Sequence, residues 1–407
     1  MRRLAFLLLL ALACPAAASA TPSQGASWAK AQIRQAVAAG LMAPAGAAFQ
    51  PRAPLTERAL QQIVDGLNAR LTPQAPPPTT TTVTVPLPTT TTTTTTTTPG
   101  SVVLPGTTTA PTTTVPTTSW TTTTVTQTVP APAPPWPLFS YKAQAPAATV
   151  TLQQFDHVLV DALGLSDAAA KVLGALRSAG LNPPARAGTE TIARLVGLRL
   201  NHPAAEDDLE LLPTQPITRA EAAYSAARAL DFDRGAHDWV EQAAAAFQLP
   251  ALSDWQRRIL TTAVSYVGFP YVWGGTSPGP ETPAGVPAVG GFDCSGFVWR
   301  VYKLTSYPNE GRLASTLAGR TTYQMAAEST RTMKIAKVQN LKPGDVLLFG
   351  NGPASPSSQV DHAAIYLGND WLVQSSGNGV TIAPFDGWYR SSFVFARRPL
   401  REAGLDR

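Results

Sequence analysis

The chain is short of charge, of sulfur and of imidazole. Only 14 % of its 407 residues are charged, against about 25 % in ordinary globular domains. Two cysteines exclude a disulfide-rich scaffold and a zinc module built on four thiolates. Past the first twenty residues no run reaches the roughly 20 apolar residues that cross a bilayer, so no membrane span is expected. A net charge of +5 is too dilute, and too little clustered with aromatics, to indicate nucleic acid. It suits an anionic surface. What the chain has in quantity is apolar residue (44 %), proline (38 residues) and threonine runs. The length points to two or three domains.

Residues 1–20 carry a basic start (Arg2, Arg3), a short apolar core (Leu4 to Ala13) and the small-x-small triplet Ala18-Ser19-Ala20. This is the pattern of an export signal cleaved after Ala20. Lipidation at Cys14 is the alternative. Cleavage removes Cys14 and leaves Cys294 as the one thiol. Exported proteins usually pair their cysteines, so a lone thiol is either a buried spectator or a reactive group.

Residues 76–135, with Thr89–Thr98 unbroken and proline throughout, have too little apolar surface to offset ordering entropy. A disordered, extended Thr/Pro-rich linker is expected there. It separates a module at 25–72 from a second helical region at 145–250. In the first, Trp28, Ile33, Val37 and Leu41 share a helical face, and Thr56 caps a second helix through Leu60, Ile63, Val64 and Leu67. In the second, Val150-Thr151-Leu152 and Ile217-Thr218-Arg219-Ala220-Glu221 each lead into an apolar helix, and Thr218 with Glu221 forms the T-x-x-E capping-box pattern. These stretches resemble S-layer homology repeats, in which a Trp-bearing helix, an F-x-P loop and an I-T-R-A-E helix recur. The resemblance implies all-α modules that bind cell-wall polymers through Thr218, Arg219 and Glu221, with Arg219 as the anion contact. The plainer reading is a helical module whose caps look alike.

From 255 to 400 the composition changes. Trp255–Val267 reads as an amphipathic helix. A Pro/Gly-rich loop follows, then Phe292-Asp293-Cys294-Ser295-Gly296-Phe297-Val298 at a helix start. There Asp293 can cap, and the helix dipole favours a thiolate. A cysteine nucleophile needs a base, and the one histidine of this region is His362, in a β-rich stretch. Thiol and imidazole are too few ligands for a metal site. Gln374 is the polar break in the apolar run Trp371–Ser376 and could accept the second imidazole N–H. Asn378 or a backbone carbonyl is next in line for that role.

Four motifs in order, Tyr271-Val272-Trp273-Gly274-Gly275, Asp293–Val298, Leu341-Lys342-Pro343-Gly344-Asp345 through Phe349, and His362–Gly368, resemble the NlpC/P60 family of cell-wall cysteine peptidases. The resemblance implies a papain-like α+β fold, a Cys-bearing helix packed on an antiparallel sheet that carries the His. It implies hydrolysis of peptide bonds in peptidoglycan stems, often D-glutamyl to diamino acid. It makes Cys294 the nucleophile, His362 the base and Gln374 the third member. Tyr271, Asp293 and Ser295 become oxyanion or substrate contacts, with no cofactor and no metal. The family's third residue is most often His. The loop Thr276–Gly291 is longer than usual. The expected partners are peptidoglycan stem peptides and anionic wall polymers, and the expected location is outside the cytoplasm, at the wall. An amidase or acyltransferase on the same fold, or a structural wall-binding protein, stays open at this stage.

Overall fold

A threonine ahead of a helix can cap it with its hydroxyl, and three such threonines organise the N-terminal part of this protein. The computed structural model describes residues 28–43, 49–71, 79–86, 120–127, 134–200 and 211–406. The expected export signal and most of the Thr-rich run lie outside them. The helical part comprises α1 (Lys30–Ala38), α2 (Glu57–Leu71), α3 (Leu152–Ala162), α4 (Ser166–Ser178), α5 (Ala187–Leu195), α6 (Arg219–Leu230) and α7 (Arg234–Ala246). Thr56, Thr151 and Thr218 stand immediately before α2, α3 and α6. Thr151 with Gln154 makes a full capping box. Thr218 makes half of the expected one: its hydroxyl accepts from the Glu221 N–H at 3.2 Å. The Glu221 carboxylate does not close the box but pairs with Arg199 at 3.2 Å, because both side chains are buried and each needs a charge partner there.

The branched residue before each threonine is buried, and the three meet. Leu55 N–H donates to Ile217 O (2.8 Å), Ile217 N–H to Val150 O (2.9 Å) and Val150 N–H to Leu55 O (3.0 Å). The bonds close a ring of three chain segments. Each buried side chain adds about 1.5–3 kcal/mol. The modules expected at 25–72 and 145–250 are therefore not separate. Residues up to Leu71 and from Pro135 onward form one compact unit, and Thr72–Pro134 forms a second. In that second unit β1 (Thr79–Pro86) pairs antiparallel with β2 (Trp120–Gln127), where no regular structure is expected from the sequence. Both strands are rich in β-branched residues, which favour extended pairing.

The region from 255 onward begins at α8 (Asp254–Ser265). The short strands β3 (Thr276–Ser277) and β4 (Gly291–Phe292) precede α9 (Cys294–Trp299), and α10 (Thr322–Ala327) follows. Then come β5 (Val346–Phe349), β6 (His362–Gly368), β7 (Trp371–Ser376), β8 (Gly379–Pro384), α11 (Gly387–Ser392) and β9 (Phe393–Arg397). The five long strands form an antiparallel sheet in the order β8-β7-β6-β5-β9. This is the α+β arrangement expected. Asp345 of the Lys342-Pro343-Gly344-Asp345 turn is buried at the start of β5. There its carboxylate accepts from Arg398 Nε at 2.7 Å and from the Lys342 N–H at 2.8 Å.

One hydrophobic core runs from Ala36 through the helical part to Leu400. At the junction, α5 grips the chain just upstream of Tyr271. Arg186 donates to Ser265 O and Val267 O at 2.9 and 3.1 Å, and Arg194 to Gly268 O at 2.9 Å. Gly268 sits at φ +99°, and a Cβ there would fall 2.9 Å from the Glu190 carboxylate, so glycine is required on both counts.

Candidate active site

Asp293 caps α9, as the sequence predicts, and it does more. Its Oδ1 accepts from the Gly296 N–H (2.5 Å) and Ser295 Oγ (3.1 Å), and its Oδ2 from the Gly274 N–H (3.0 Å). Arg320 closes the cluster. Its guanidinium donates to both Asp293 oxygens (3.1 and 3.0 Å), to Ser295 Oγ (2.8 Å) and to the Gly274 carbonyl (2.9 Å). Both oxygens of Asp293 and the hydroxyl of Ser295 are thus engaged inside the fold. The geometry suits them to holding the cysteine loop, not to touching substrate. Gly296 has no room for a side chain, because a Cβ would meet the Gly275 carbonyl oxygen at 2.0 Å. Ser375 Oγ of β7 donates to Phe292 O at 2.7 Å and ties the same loop to the sheet.

This clamp sets Cys294 against the start of β6. Its Sγ lies 3.8 Å from the carbonyl oxygen of Asp361, and the next residue is His362. The imidazole is walled by aromatic rings: Phe349 at 5.6 Å, the edge of Trp388 at 5.8 Å and Tyr389 at 6.3 Å between centroids. Gln374, on the neighbouring strand β7, is buried. Its Nε2 donates to Tyr389 Oη (2.7 Å) and Ser376 Oγ (3.0 Å). Nε2 of His362 and Oε1 of Gln374 are buried without a well-formed hydrogen bond. They are complementary, a donor in one imidazole tautomer and an acceptor, and catalytic bonds often tighten only on substrate binding. The structure therefore places Cys294 one residue from His362 at the start of β6, and Gln374 on the adjacent strand β7.

The electrostatics correct one expectation. The helix start does not leave Cys294 an acidic thiol. Burial pushes its pKa up to about 12, with the Asp293 carboxylate adding to the rise; the Ala363 and Ser295 N–H groups and Arg320 only partly oppose it. Desolvation is the largest contribution and outweighs the N–H groups and Arg320. Burial likewise pushes His362 down to about 4, with the Gln374 amide pulling the other way. Both shifts favour the neutral forms, thiol and imidazole, and a neutral imidazole can act as a base without first losing a proton.

Tyr271 is half-buried and bridges to Phe292 in parallel. It lines a cavity of about 20 Å³, one water in size, together with Arg194, Arg199, Glu221 and Asn378. The Thr276–Gly291 loop is an ordered hairpin. β3 pairs with β4, and the Glu281 carboxylate accepts from the Thr276 and Ser277 N–H groups at 2.7 and 3.1 Å. Arg219 donates to Phe49 O (3.0 Å) and Ala43 O (2.7 Å) and stacks on the Phe49 ring at 4.5 Å. Thr218 caps α6 and Glu221 lies inside, so the motif's polar atoms serve the fold at these points. No group of three or more metal-ligating side chains occurs among the described residues.

Sequence reasoning missed Arg320, Trp388 and Tyr389. The only local sign of Arg320 is the capping box Thr321–Gln324 that follows it. Trp388 and Tyr389 sit on the short helix α11, and only sheet register brings them to His362.

Fold and site together define an α+β domain in which a thiol at a helix start lies against the backbone just ahead of an imidazole at a strand start. The NlpC/P60 family profile matches residues 268–398, and this C-terminal region is an NlpC/P60 domain. The chain is 29 % identical over 142 residues to the probable peptidoglycan endopeptidase LytE of Bacillus subtilis, covering 35 % of this chain and 34 % of that protein. It is 29 % identical over 143 residues to the bifunctional muramidase/DL-endopeptidase CwlT of the same organism, covering 35 % and 36 %. It is 32 % identical over 142 residues to that organism's gamma-DL-glutamyl hydrolase, covering 34 % and 28 %. The chain thus spans about a third of the length of these curated relatives. Among solved structures, an NlpC/P60 family protein from Bacillus cereus aligns at 22 % identity and TM-score 0.27, covering 38 % of this chain and 43 % of that one.

Proposed function

We propose that this protein is an exported cysteine endopeptidase that hydrolyses peptide bonds in peptidoglycan stems, acting from a wall-associated position. The observation that supports the reading is that Cys294, at the start of α9, lies against Asp361 at the head of β6, with His362 next in the chain and Gln374 on the adjacent strand β7. His362 takes the thiol proton as Sγ attacks the scissile carbonyl carbon. The carbonyl oxygen gains the negative charge, and backbone N–H groups at the start of α9 are the nearest preorganised donors. Collapse of the tetrahedral intermediate expels the amine, which leaves with the proton held by His362. The remaining thioester is attacked by a water whose proton His362 accepts, and Cys294 is released as a thiol. Because both groups start neutral, proton transfer accompanies attack.

The bond between D-glutamate and the diamino acid is the favoured target, since the names of two relatives specify a DL-endopeptidase and a gamma-DL-glutamyl hydrolase. Mass analysis of fragments released from purified sacculi tests this. New amino termini on the diamino acid are expected, and release of intact stems from the glycan would replace the endopeptidase by an amidase.

The helical unit is proposed to hold the enzyme on wall polymers, on the strength of its three threonine-led helices. Sacculi should pellet the full chain at low salt and less of it as salt screens the contact. Pelleting that is absent at low salt would leave the helices as a scaffold. Undiminished pelleting by Arg219→Ala would remove Arg219 from the contact.

A further inference from the structure

Burying an indole is favourable, yet Trp273 stands 64 % exposed, the most of any large hydrophobic side chain among the described residues. Its neighbours in the chain tie it to the thiol. The Gly274 N–H donates to Asp293 Oδ2 at 3.0 Å, the Gly275 carbonyl accepts from the Asp293 N–H at 3.2 Å, and Arg320 holds the Gly274 carbonyl at 2.9 Å. The hairpin 276–291 extends the same surface. A Cβ on Gly274 would lie 3.2 Å from Pro283, so the hairpin tip folds back beside Trp273, and Val286 and Pro287 at that tip are exposed. From Tyr271 to Phe292 the only charged side chain is Glu281, and its carboxylate is occupied by the Thr276 and Ser277 N–H groups. Glu281 and Ala288 exchange backbone hydrogen bonds at 3.0 and 2.8 Å, which fixes the tip. Together these residues make an ordered, uncharged, apolar platform next to Cys294.

The platform lies on one side of the reaction. Cys294 faces Asp361 of the chain entering β6, whereas Gly296 faces the Gly275 carbonyl. Residues two apart on a helix point to roughly opposite sides, so β6 and the Gly274–Gly275 strip flank the start of α9 from opposite sides. His362 hands its proton to the leaving amine, which puts the amine half of the scissile bond towards β6 and the acyl half towards Trp273. In a stem cut between D-glutamate and the diamino acid, the acyl half is the part bonded to the glycan strand. A pyranose ring is uncharged, and the C–H groups on its faces meet the negative face of an indole favourably. A platform without free charge suits that ring better than it suits the acidic stem.

We propose that Trp273 and the hairpin tip form a sugar subsite that takes a pyranose ring of the glycan strand on the acyl side of Cys294, so that the enzyme favours stems still attached to glycan. The proposal rests on the stem-peptide reading, since the leaving amine defines which side is the acyl side.

Two measurements on full-length protein test it. In the first, the Cys294→Ser protein is titrated with a peptide-free N-acetylglucosamine oligomer, and the indole N–H signal of Trp273, identified by its loss in Trp273→Ala, is followed by NMR. The signal should move. Trp273→Ala should weaken binding about tenfold, the scale for truncating an aromatic anchor, and Trp273→Tyr, which keeps a ring, by less than about threefold. A signal unmoved at millimolar oligomer would overturn the proposal. In the second, kcat/KM is compared on one stem peptide with and without its disaccharide. Wild type should prefer the linked stem about tenfold, and Trp273→Ala should erase that preference while staying within about threefold on the free stem. Equal losses on both substrates would make the indole merely structural and overturn the proposal, as would a wild type without preference, even with the peptidase reading intact. Oligomer binding through Trp273 in a protein that cuts no stem would uphold the sugar subsite while that reading failed.

Discussion

Cys294→Ser is expected to release no fragments from sacculi while keeping the fold of the wild-type protein. The expected loss in kcat is on the order of 10⁵- to 10⁶-fold, the scale seen when a nucleophile is removed from a catalytic unit. A serine hydroxyl is near-isosteric, and the loop that holds position 294 depends on other groups: the Asp293 carboxylate, Arg320 and the Gly296 approach to Gly275. The circular dichroism spectrum and melting temperature should therefore move little. What changes is chemistry. Even the thiol is pushed up to about 12 here, and an alcohol in the same dry position is far harder to deprotonate. An imidazole held near 4 is too weak a base to do it. Wild-type-like turnover by Cys294→Ser would remove the thiol from the mechanism.

His362→Ala should approach the same loss, because nucleophile and base act as one unit and their removals do not add. Its pH profile is the sharper measurement. His362 works as a base only when neutral, so kcat/KM in the wild type should hold as pH falls through the ordinary histidine range near 6.5 and drop only towards about 4. The sign follows from burial: the dry, aromatic-walled site disfavours imidazolium, so protonation needs more acid. Alkylation of Cys294 should correspondingly be slow at neutral pH and rise into strongly alkaline solution. An acid limb of kcat/KM near 6.5, or rapid alkylation at pH 6, would show a preformed thiolate–imidazolium pair in place of the neutral one.

The residues proposed to bear the chemistry were legible because each announces itself locally. Cys294 follows a capping aspartate at the head of a helix, His362 opens an apolar strand, and Gln374 interrupts another. The antiparallel sheet was implied by the family resemblance, and its five strands and their order emerge only in the structure. The acidity of Cys294 was not legible, since a helix start argues for a thiolate and only the packing of β6 over α9 reveals the desolvation that wins. Arg320 and Tyr389 were hidden for a related reason: each bonds to a partner far away in sequence, Asp293 for one and Gln374 for the other. The capping pattern at Thr218 and Glu221 was half right. The hydroxyl caps, but the carboxylate is claimed by Arg199, a competitor no local motif announces. The single unit formed by the helical regions was also out of reach, because backbone bonds between Leu55, Val150 and Ile217 leave no signature in side-chain type beyond the branched residue before each threonine.

That ring of three backbone bonds changes what the threonine-rich stretch is. The chain leaves one compact unit after Leu71 and re-enters the same unit at Pro135, so the stretch is an insertion within that unit and not a tether between two. Lengthening it would not move Cys294 away from the helices, because the chain on either side of it belongs to one body. A protease that cut it would free neither half: the two fragments would stay mated through the Leu55–Val150–Ile217 closure and the shared core around it, and would part only when that core melts. The thiol at position 294 therefore keeps a fixed reach from the helices.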